Sequence, residues 1–304
     1  MQLVVDDILA QIEADRSEGA ASLALRGLDV LEAAAPSLPA DPALAGRELV
    51  WLVARIDTLR PSIAAIGVQA VLAVVRARGL MAEGFPPAAA VTMAVARERE
   101  TLGQANVAIA ELARTELGEE GGTLVTCSYS MTAAQCLVGL RPALVRIGDG
   151  HPVGDGLRAA RWLSARGLAV EVVPDGALPA LVRGARAAIV GADQILAGGT
   201  LINRASTLSL ALAARRFGVP FLVVCQRIKL AGAEHGEIEE PPGFLPDAPD
   251  GITGRAPLFD ATPPDLIDGV LTETGRLTAA EAGAVGARLA VLRAELVAEA
   301  RHLA

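Results

Sequence analysis

Aromatic side chains are scarce in this chain, at 3% of its residues, so few platforms are available on which nucleic acid bases could stack. Basic charge is also in short supply, because 27 Lys and Arg residues face 35 Asp and Glu residues, a net charge of −8. A protein that follows a nucleic acid backbone needs a basic face. The composition therefore argues against nucleic acid as a partner. It leaves small phosphorylated ligands open, since a few local cations can bind them.

Cysteine and histidine are equally few, with three residues of each type in the chain. The cysteines are Cys127, Cys136 and Cys225, and the histidines are His151, His235 and His302. An odd number of cysteines without CxxC spacing predicts neither a disulfide framework nor a zinc site. The histidines are far apart in the sequence. We therefore expect no metal cofactor.

Long hydrophobic runs are also missing, although 52% of the residues are hydrophobic and the mean hydropathy is +0.42. Charged residues or glycines interrupt each run before the roughly 18 residues that a spanning helix needs, so we expect no membrane partner. The opening MQLVVDDILAQIEADR is acidic and amphipathic, unlike a secretion leader, and predicts a cytoplasmic protein. No GxGxxG motif follows a first strand, so we expect no dinucleotide cofactor.

The hydrophobic pattern divides the chain into two predicted domains. Residues 1–118 have helical periodicity and predict an all-helical domain of about five helices. In residues 119–304, the β-rich runs TLVTCSY, ALVRIGD, AVEVVPD, AAIVGAD and PFLVVCQ alternate with predicted helical segments such as 154–167 and 177–186. Strands alternating with helices predict a mostly parallel sheet. The predicted fold class is α/β, an N-terminal helical domain followed by a Rossmann-like catalytic domain.

The stretch 187–229 supplies the first catalytic candidate. Its apolar run AAIV predicts a buried strand, and Asp193 follows at the edge where α/β sheets present their ligands. After a Gly-Gly turn, the pattern predicts a helix over 205–216 and a further strand that ends near Lys229. The alternative is an ordinary β-α-β unit with solvated charges at its ends.

A second candidate, Cys127, stands at the end of the strand TLVT and just before the helix TAAQCLVGL. A thiol near a helix N-terminus is favoured as thiolate, and the amides there, with the Ser130 and Thr132 hydroxyls, can hold a phosphate. The alternative is a small buried hydrophobic residue, which is our interpretation of Cys136 and Cys225.

Three motifs carry a family resemblance. They are TLVTCSYSMTA, GADQILAGGTLINRASTLSLALAARRFGVPFLVV and PLFDATPPDLIDGVLTETG, in that order. Over residues 60–275 the chain resembles the superfamily of aldose-phosphate isomerases and initiation factor 2B α, β and δ subunits. In the last motif, Thr262 followed by two prolines suggests an N-cap that anchors a terminal helix.

The resemblance implies an enzyme whose substrate is a phosphorylated sugar. Enzymes of the superfamily carry a catalytic Cys and Asp, which fall on Cys127 and Asp193, whereas the factor subunits generally lack this pair. The resemblance assigns substrate and phosphate contacts to Arg60, Tyr129, Ser130, Met131, Asn203, Arg204 and Lys229. The chemistry of the cationic residues agrees with this assignment, because an Arg side chain offers a planar fork to phosphate oxygens and a Lys side chain offers a point charge.

The motif Arg60-Pro61-Ser62 resembles the ribose-1,5-bisphosphate isomerases, whereas methylthioribose-1-phosphate isomerases carry Arg-Gly-Ala-Pro there. Two departures from the family motifs leave the identity of the sugar substrate open. Glu18 stands where the bisphosphate isomerases have an arginine, and His151 lies in GDGHP, where the family has Glu-Thr-Arg-Pro.

The mechanism expected from the sequence uses Asp193 as the acid and Cys127 as the base. Asp193, protonated through burial, gives a proton to the ring oxygen, and the Cys127 thiolate takes the proton from C2. The alternatives are a regulatory subunit that binds a sugar phosphate or nucleotide, and a methylthioribose-1-phosphate isomerase. The resemblance also implies a homo-oligomer, a homodimer or hexamer, that associates through the α/β domain.

Overall fold

A computed structural model of the chain describes residues 2–15, 20–60, 63–118, 121–230 and 251–303. The chain forms two compact units. The first comprises residues 1–104, 228–232 and 285–304, and the second comprises residues 105–227 and 233–284. The sequence prediction divided the chain after residue 118. The two units divide instead at residue 104, inside one long helix, and the C-terminal residues belong to the first unit.

The first unit is built from helices. Their bounds are α1 Gln2–Ala14, α2 Ala20–Ala34, α3 Pro42–Leu59, α4 Ala64–Ala82 and α5 Pro87–Leu117, of which the last continues into the second unit. Asp41 caps α3 by accepting a hydrogen bond from the Leu44 amide at 2.9 Å, and Pro42 occupies the first helical position, where no amide hydrogen is needed. The N-terminal helical prediction is therefore confirmed.

Helix α4 is long and apolar enough to cross a membrane by length and composition, and among the described residues no other helix is. Arg76 and Arg78 are the charged residues within it. However, 67% of its apolar window is buried, and it packs against α2 and α3. These contacts explain its apolar character as that of a core helix.

The C-terminal helix α9, Ala279–Leu303, begins in the second unit and ends in the first. Thr278 and Glu281 form a capping box at its start, with the Glu281 carboxylate accepting from the Thr278 amide at 2.7 Å. Further along, Glu299 accepts two hydrogen bonds from Arg78 of α4, at 3.0 and 2.6 Å. A bidentate pair of this kind fixes orientation as well as adding energy.

The second unit contains, within the described residues, a seven-stranded sheet and a three-stranded sheet. Strands of the large sheet are β1 Thr123–Thr126, β2 Leu144–Gly148, β3 Val170–Val173, β4 Ala187–Val190, β7 Phe221–Val224, β9 Gly269–Thr272 and β10 Gly275–Leu277. Strands of the small sheet are β5 Gln194–Ile195, β6 Leu201–Arg204 and β8 Phe259–Thr262. The helices are α6 Met131–Leu140, α7 Asp155–Ser164 and α8 Thr207–Phe217.

The order of the large sheet is β10-β9-β7-β4-β1-β2-β3, and every pairing is parallel except that of β9 with β10. The chain moves outward from β1 to β3 and then returns to start again at β4, so the strand order reverses between β1 and β4. This is the order of a doubly wound fold, which binds ligands beyond the carboxyl ends of its strands at the reversal. The predicted α/β fold class, a helical region followed by a mostly parallel sheet, is confirmed.

The small antiparallel sheet corrects one expectation. Thr262 does not cap a helix, because it ends β8, which pairs with β6 in the register Asn203↔Asp260. Only a 3-10 turn, Pro264–Leu266, begins at the second proline, and its N-cap, Pro263, makes no side-chain hydrogen bond. Prolines can start a helix, but here the chain reaches β9 within a few residues.

Candidate functional site

The two strands at the reversal of the sheet lead directly into the two predicted catalytic residues. Cys127 follows β1, and Asp193 follows β4 after a short loop. These strands are adjacent and parallel, with Leu124 opposite Ala187. Because the carboxyl ends of neighbouring parallel strands meet at one edge, both residues follow the same edge of the sheet.

A close contact at Gly191 joins the loop after β4 to the loop after β1. A Cβ atom placed on Gly191 would lie 2.3 Å from Oγ and 2.4 Å from Cβ of Ser130. Only glycine permits this approach, since real Cβ atoms keep larger separations. Asp193 stands two residues further on and is half-buried, and its amide donates to the Ile202 carbonyl oxygen at 3.0 Å.

The substitution Gly191→Ala should therefore disturb the site as well as the fold. Its new methyl group must push Ser130 away, and overpacking of this kind costs roughly 1–3 kcal/mol. We expect a lower thermal midpoint than for the matched control Gly198→Ala, where nothing lies within 4 Å of the new Cβ. Equal midpoints for the two variants, measured by calorimetry, would show that the loops are not in close contact.

Cys127 itself is almost completely buried, with 1% of its surface exposed. Its Sγ lies 3.3 Å from Oγ1 of Thr207, the first residue of α8. Burial, with smaller contributions from the carboxylates of Asp260 and Asp175, raises the pKa of Cys127 to about 12. The raised pKa therefore disfavours the predicted thiolate at neutral pH. Desolvation outweighs the stabilisation that the helix N-terminus and nearby hydroxyls give to negative charge.

The N-terminus of α6 holds the loop residues assigned by the resemblance. Ser130 caps the helix, its Oγ accepting from the Ala133 amide at 3.3 Å, and Met131 begins it with 39% of its surface exposed. Thr132 donates to Oδ1 of Asn106 at 2.9 Å. The Tyr129 ring lies under the guanidinium of Arg158, whose Cζ is 4.7 Å from the ring centroid. Arg158 is an exposed cation that the sequence reading did not single out.

Asn203 and Arg204 end β6 and differ in exposure. Asn203 is buried, and its Nδ2 donates to Oγ1 of Thr207 at 2.9 Å. The Arg204 guanidinium is partly exposed, with its Nε 3.0 Å from the Asp155 carboxylate and its Cζ 5.0 Å from the Phe259 ring centroid. Arg204 therefore faces a carboxylate as well as any incoming anion.

A small cleft with a cavity volume of about 20 Å³ lies beside these residues. Its polar lining consists of Ser128, His151, Asp155, Asp175, Arg204 and Ser206. Burial raises the pKa of both Asp155 and Asp175; the nearby Arg204 opposes this shift at Asp155, whereas Asp149 adds to it at Asp175. Apolar residues complete the lining, and its charged side chains are of both signs.

Asp260 is a charged neighbour of Cys127 that our sequence reading treated as structural. Its Oδ2 accepts from the Leu208 amide at 3.0 Å, whereas its buried Oδ1 accepts no well-formed hydrogen bond from any described residue. Burial raises the pKa of Asp260 from 3.8 to about 6, opposed by the amides at the start of α8. The charged carboxylate is therefore disfavoured at this position.

This raised pKa makes the stability of the protein depend on pH. Between pH 3.8 and about 6, the folded protein keeps the Asp260 proton that the unfolded chain has released. The stabilisation from this group is therefore lost as the pH rises through that window. Asp260→Asn removes the titration, so we expect its free energy of unfolding to fall less than that of the wild type between those pH values. Urea denaturation of both proteins checks this, and identical slopes would contradict it.

Two predicted substrate contacts belong to the first unit. Arg60 follows α3, and its Nη1 donates to the Asp15 carbonyl oxygen. Lys229 ends a 3-10 turn, Arg227–Lys229, and is half-buried. The residues Glu18, Pro61 and Ser62, which carried the argument about the sugar, lie outside the described residues.

Comparison with known proteins settles the family. A model described as the initiation factor 2 subunit family matches residues 88–279, more than half of the chain. The chain belongs to this family. The resemblance drawn from the sequence motifs is confirmed, because relatives of both kinds, factors and isomerases, are found.

One relative, a protein of Pyrococcus horikoshii named as translation initiation factor eIF-2B subunit 2-like, is 28% identical over 279 residues, 88% of this chain and 94% of the relative. The methylthioribose-1-phosphate isomerase of Xanthomonas oryzae is 34% identical over 171 residues, 51% of this chain and 48% of the enzyme. The 5-deoxyribose 1-phosphate isomerase of Moorella thermoacetica is 33% identical over 171 residues, 51% of this chain and 49% of the enzyme. These matches span about half the length of each isomerase.

Solved structures agree with this placement. The crystal structure of a Pyrococcus horikoshii translation initiation factor eIF-2B has a TM-score of 0.71 and 26% identity, over 90% of this chain and 97% of the other. The 5-methylthioribose 1-phosphate isomerase of the same organism has a TM-score of 0.66 at 22% identity, over 96% of this chain and 88% of the other, and this likeness bears on the fold alone.

Proposed function

We propose that the protein is an aldose-ketose isomerase that acts on a pentose carrying a phosphate on its anomeric carbon. One observation carries the proposal. A buried thiol, Cys127, and a half-buried carboxyl, Asp193, follow the two strands that flank the reversal of the sheet. Isomerisation needs one group to give a proton and another to take one, and this pair supplies both. The relatives named sugar 1-phosphate isomerases support the same reaction class.

The roles of the two residues follow from the protonation of the thiol. A thiol with a pKa of about 12 is protonated at neutral pH, so Cys127 donates a proton and does not abstract one. We therefore exchange the roles expected from the sequence. Cys127 is the general acid, and the Asp193 carboxylate is the general base.

In a furanose 1-phosphate the anomeric oxygen is esterified, so the bond from C1 to the ring oxygen must break during the reaction. Asp193 takes the proton from C2, the C1–C2 double bond forms, and the ring oxygen leaves with the proton of Cys127. The protonated Asp193 then gives its proton to C1, while the hydroxyl proton on O2 returns to the thiolate. The product is the ketose phosphate, and both residues regain their starting state.

For the substrate we propose ribose 1,5-bisphosphate, on the motif that begins at Arg60. Two cations of the second unit could meet phosphate groups, namely Arg204 in the cleft and the exposed Arg158 above Tyr129. The test compares turnover of ribose 1,5-bisphosphate, ribose 1-phosphate and methylthioribose 1-phosphate by the purified protein. We expect the bisphosphate to have the highest kcat/KM. A preference for methylthioribose 1-phosphate would keep the reaction class and reject the substrate.

A second candidate function is that of a regulatory subunit that binds a sugar phosphate or nucleotide without converting it. The observation favouring it is the coverage of the sequence matches, because the match to the eIF-2B-like relative spans 88% of this chain and the match to the methylthioribose-1-phosphate isomerase 51%. In that case none of the three sugar phosphates is converted, while one of them raises the thermal midpoint by binding the folded state.

The oligomeric state, a homodimer or hexamer, stays a prediction. Light scattering of the same sample would check it.

A further inference from the structure

The side chain of Thr207 joins the catalytic thiol to two groups on β6. Thr207 is completely buried at the start of α8. Its Oγ1 lies 2.6 Å from the Arg204 carbonyl oxygen, 2.9 Å from Nδ2 of Asn203 and 3.3 Å from Sγ of Cys127. All of these contacts lie within the second unit.

Counting hydrogens assigns a direction to each contact. A carbonyl oxygen can only accept, so the single hydrogen of the Thr207 hydroxyl goes to Arg204. An amide NH₂ can only donate, so Asn203 uses one lone pair of the hydroxyl oxygen. The other lone pair faces the sulfur, and Cys127 must therefore be the donor in the third contact. This hydrogen-bond pattern therefore requires Cys127 to be a protonated thiol.

Loss of the thiol proton reverses the direction of the hydrogen bond between Cys127 and Thr207, because a thiolate can only accept. The sulfur then faces the carboxylates of Asp260 and Asp175, both of which disfavour negative charge on it. Rotation of the Thr207 hydroxyl from Arg204 to Sγ would supply a donor while the Asn203 hydrogen bond is kept. The Ser206 hydroxyl can act on the sulfur in the same sense.

We propose that Thr207 is a positioning residue of the isomerase, whose hydroxyl accepts from the Cys127 thiol at rest and donates to the thiolate once the proton has moved to the ring oxygen. This inference rests on the proposed function. It adds a residue that acts through Cys127 and touches no substrate. No bond to Thr207 forms or breaks, and its hydroxyl changes only its acceptor.

The test compares Thr207→Val, which removes the hydroxyl at similar size, with Thr207→Ser, which keeps it. A hydrogen bond to a charged group is worth about 1.5–3 kcal/mol, so the valine variant should lose roughly tenfold to hundredfold in kcat with little change in KM. Serine should restore most of the loss. The matched control is Thr262→Val, since the buried Oγ1 of Thr262 has no hydrogen-bond partner among the described residues, and we expect its turnover to be unchanged.

An infrared measurement tests the contact without turnover. In a chain whose Cys136 and Cys225 are replaced by alanine, the remaining S–H stretch belongs to Cys127. We expect it to move to higher frequency in Thr207→Val, because the thiol loses its acceptor, and to stay near the wild-type position in Thr207→Ser. If the valine variant does not fold, Thr207→Ala carries the same expectation for the S–H stretch.

The two readouts separate the possible failures. An unchanged S–H stretch in the valine or alanine variant, or wild-type kcat in Thr207→Val, overturns the role of Thr207 even if the protein is an isomerase. If the wild type converts none of the sugar phosphates, the proposed function fails, and the positioning role of Thr207 in the reaction fails with it. The S–H stretch would then still report whether the hydrogen bond to Thr207 exists.

Discussion

Cys127→Ser is expected to lower the kcat for the sugar phosphate by roughly 10²–10⁴-fold, the contribution that a general acid makes. Serine keeps the size and the contact with Thr207, so the fold and KM should change little. A serine hydroxyl, however, is a far weaker acid than a thiol and cannot deliver a proton to the ring oxygen at a comparable rate. Steady-state kinetics with ribose 1,5-bisphosphate measures the effect.

The matched control is Cys136→Ser, because Cys136 is also a buried, unbridged cysteine of the second unit, and burial raises its pKa to about 12 as well. It lies within α6, away from the strand end. We expect the control to keep wild-type kcat apart from a loss of stability. Equal losses of kcat in the two variants would show that the effect of Cys127→Ser comes from packing and not from chemistry.

Asp193→Asn is expected to reduce kcat by a similar factor, because the amide cannot take the proton from C2. The substitution is nearly isosteric, and the backbone hydrogen bond of residue 193 to Ile202 does not depend on the side chain. KM should therefore stay close to the wild-type value. As a control, Asp265→Asn replaces an exposed carboxyl after β8 and should leave kcat unchanged.

The double variant adds information that the single variants lack. Residues that act as one unit show non-additive losses, so Cys127→Ser combined with Asp193→Asn should lose little more than either alone. Additive losses would mean that the two residues serve separate steps. Retention of kcat in Asp193→Asn would remove Asp193 from the mechanism altogether.

The sequence predicted the position of a residue well where that residue comes at or just after the end of a strand. Five β-rich runs were recognised, and each contains a strand of the large sheet, so the placing of Cys127 and Asp193 at strand ends could be predicted. The same rule applied to AVEVVPD would have found Asp175, a residue of the cleft.

Other features depend on contacts between distant parts of the chain. The charge state of Cys127 is set by burial and by Asp260, and neither is visible in the motif TLVTCSY. Thr207 matters because β6 and α8 bring it to the sulfur, eighty residues after Cys127. Ser128 and Ser206 have positive φ angles of 63° and 85°, for which non-glycine residues give no local signal.

The secondary-structure prediction failed in two parts of the second unit. Residues 177–186 were predicted to be helical, yet they hold only the 3-10 turn Leu178–Leu181. Pro179 lies in this turn, and Gly184 has a φ of 80°, so a continuous helix could not form there. The strands of the small sheet were also missed; β5 has only two residues, too few to show any periodicity.

The most direct test is to follow ribose 1,5-bisphosphate by phosphorus and carbon NMR in the presence of the wild-type protein, Cys127→Ser and Asp193→Asn. We predict that the wild type forms ribulose 1,5-bisphosphate and that each variant forms it at least a hundredfold more slowly, in line with the loss of a general acid or base. If neither ribose 1,5-bisphosphate nor any related sugar 1-phosphate is converted to a ketose by the folded wild-type protein, the assignment as an isomerase is contradicted.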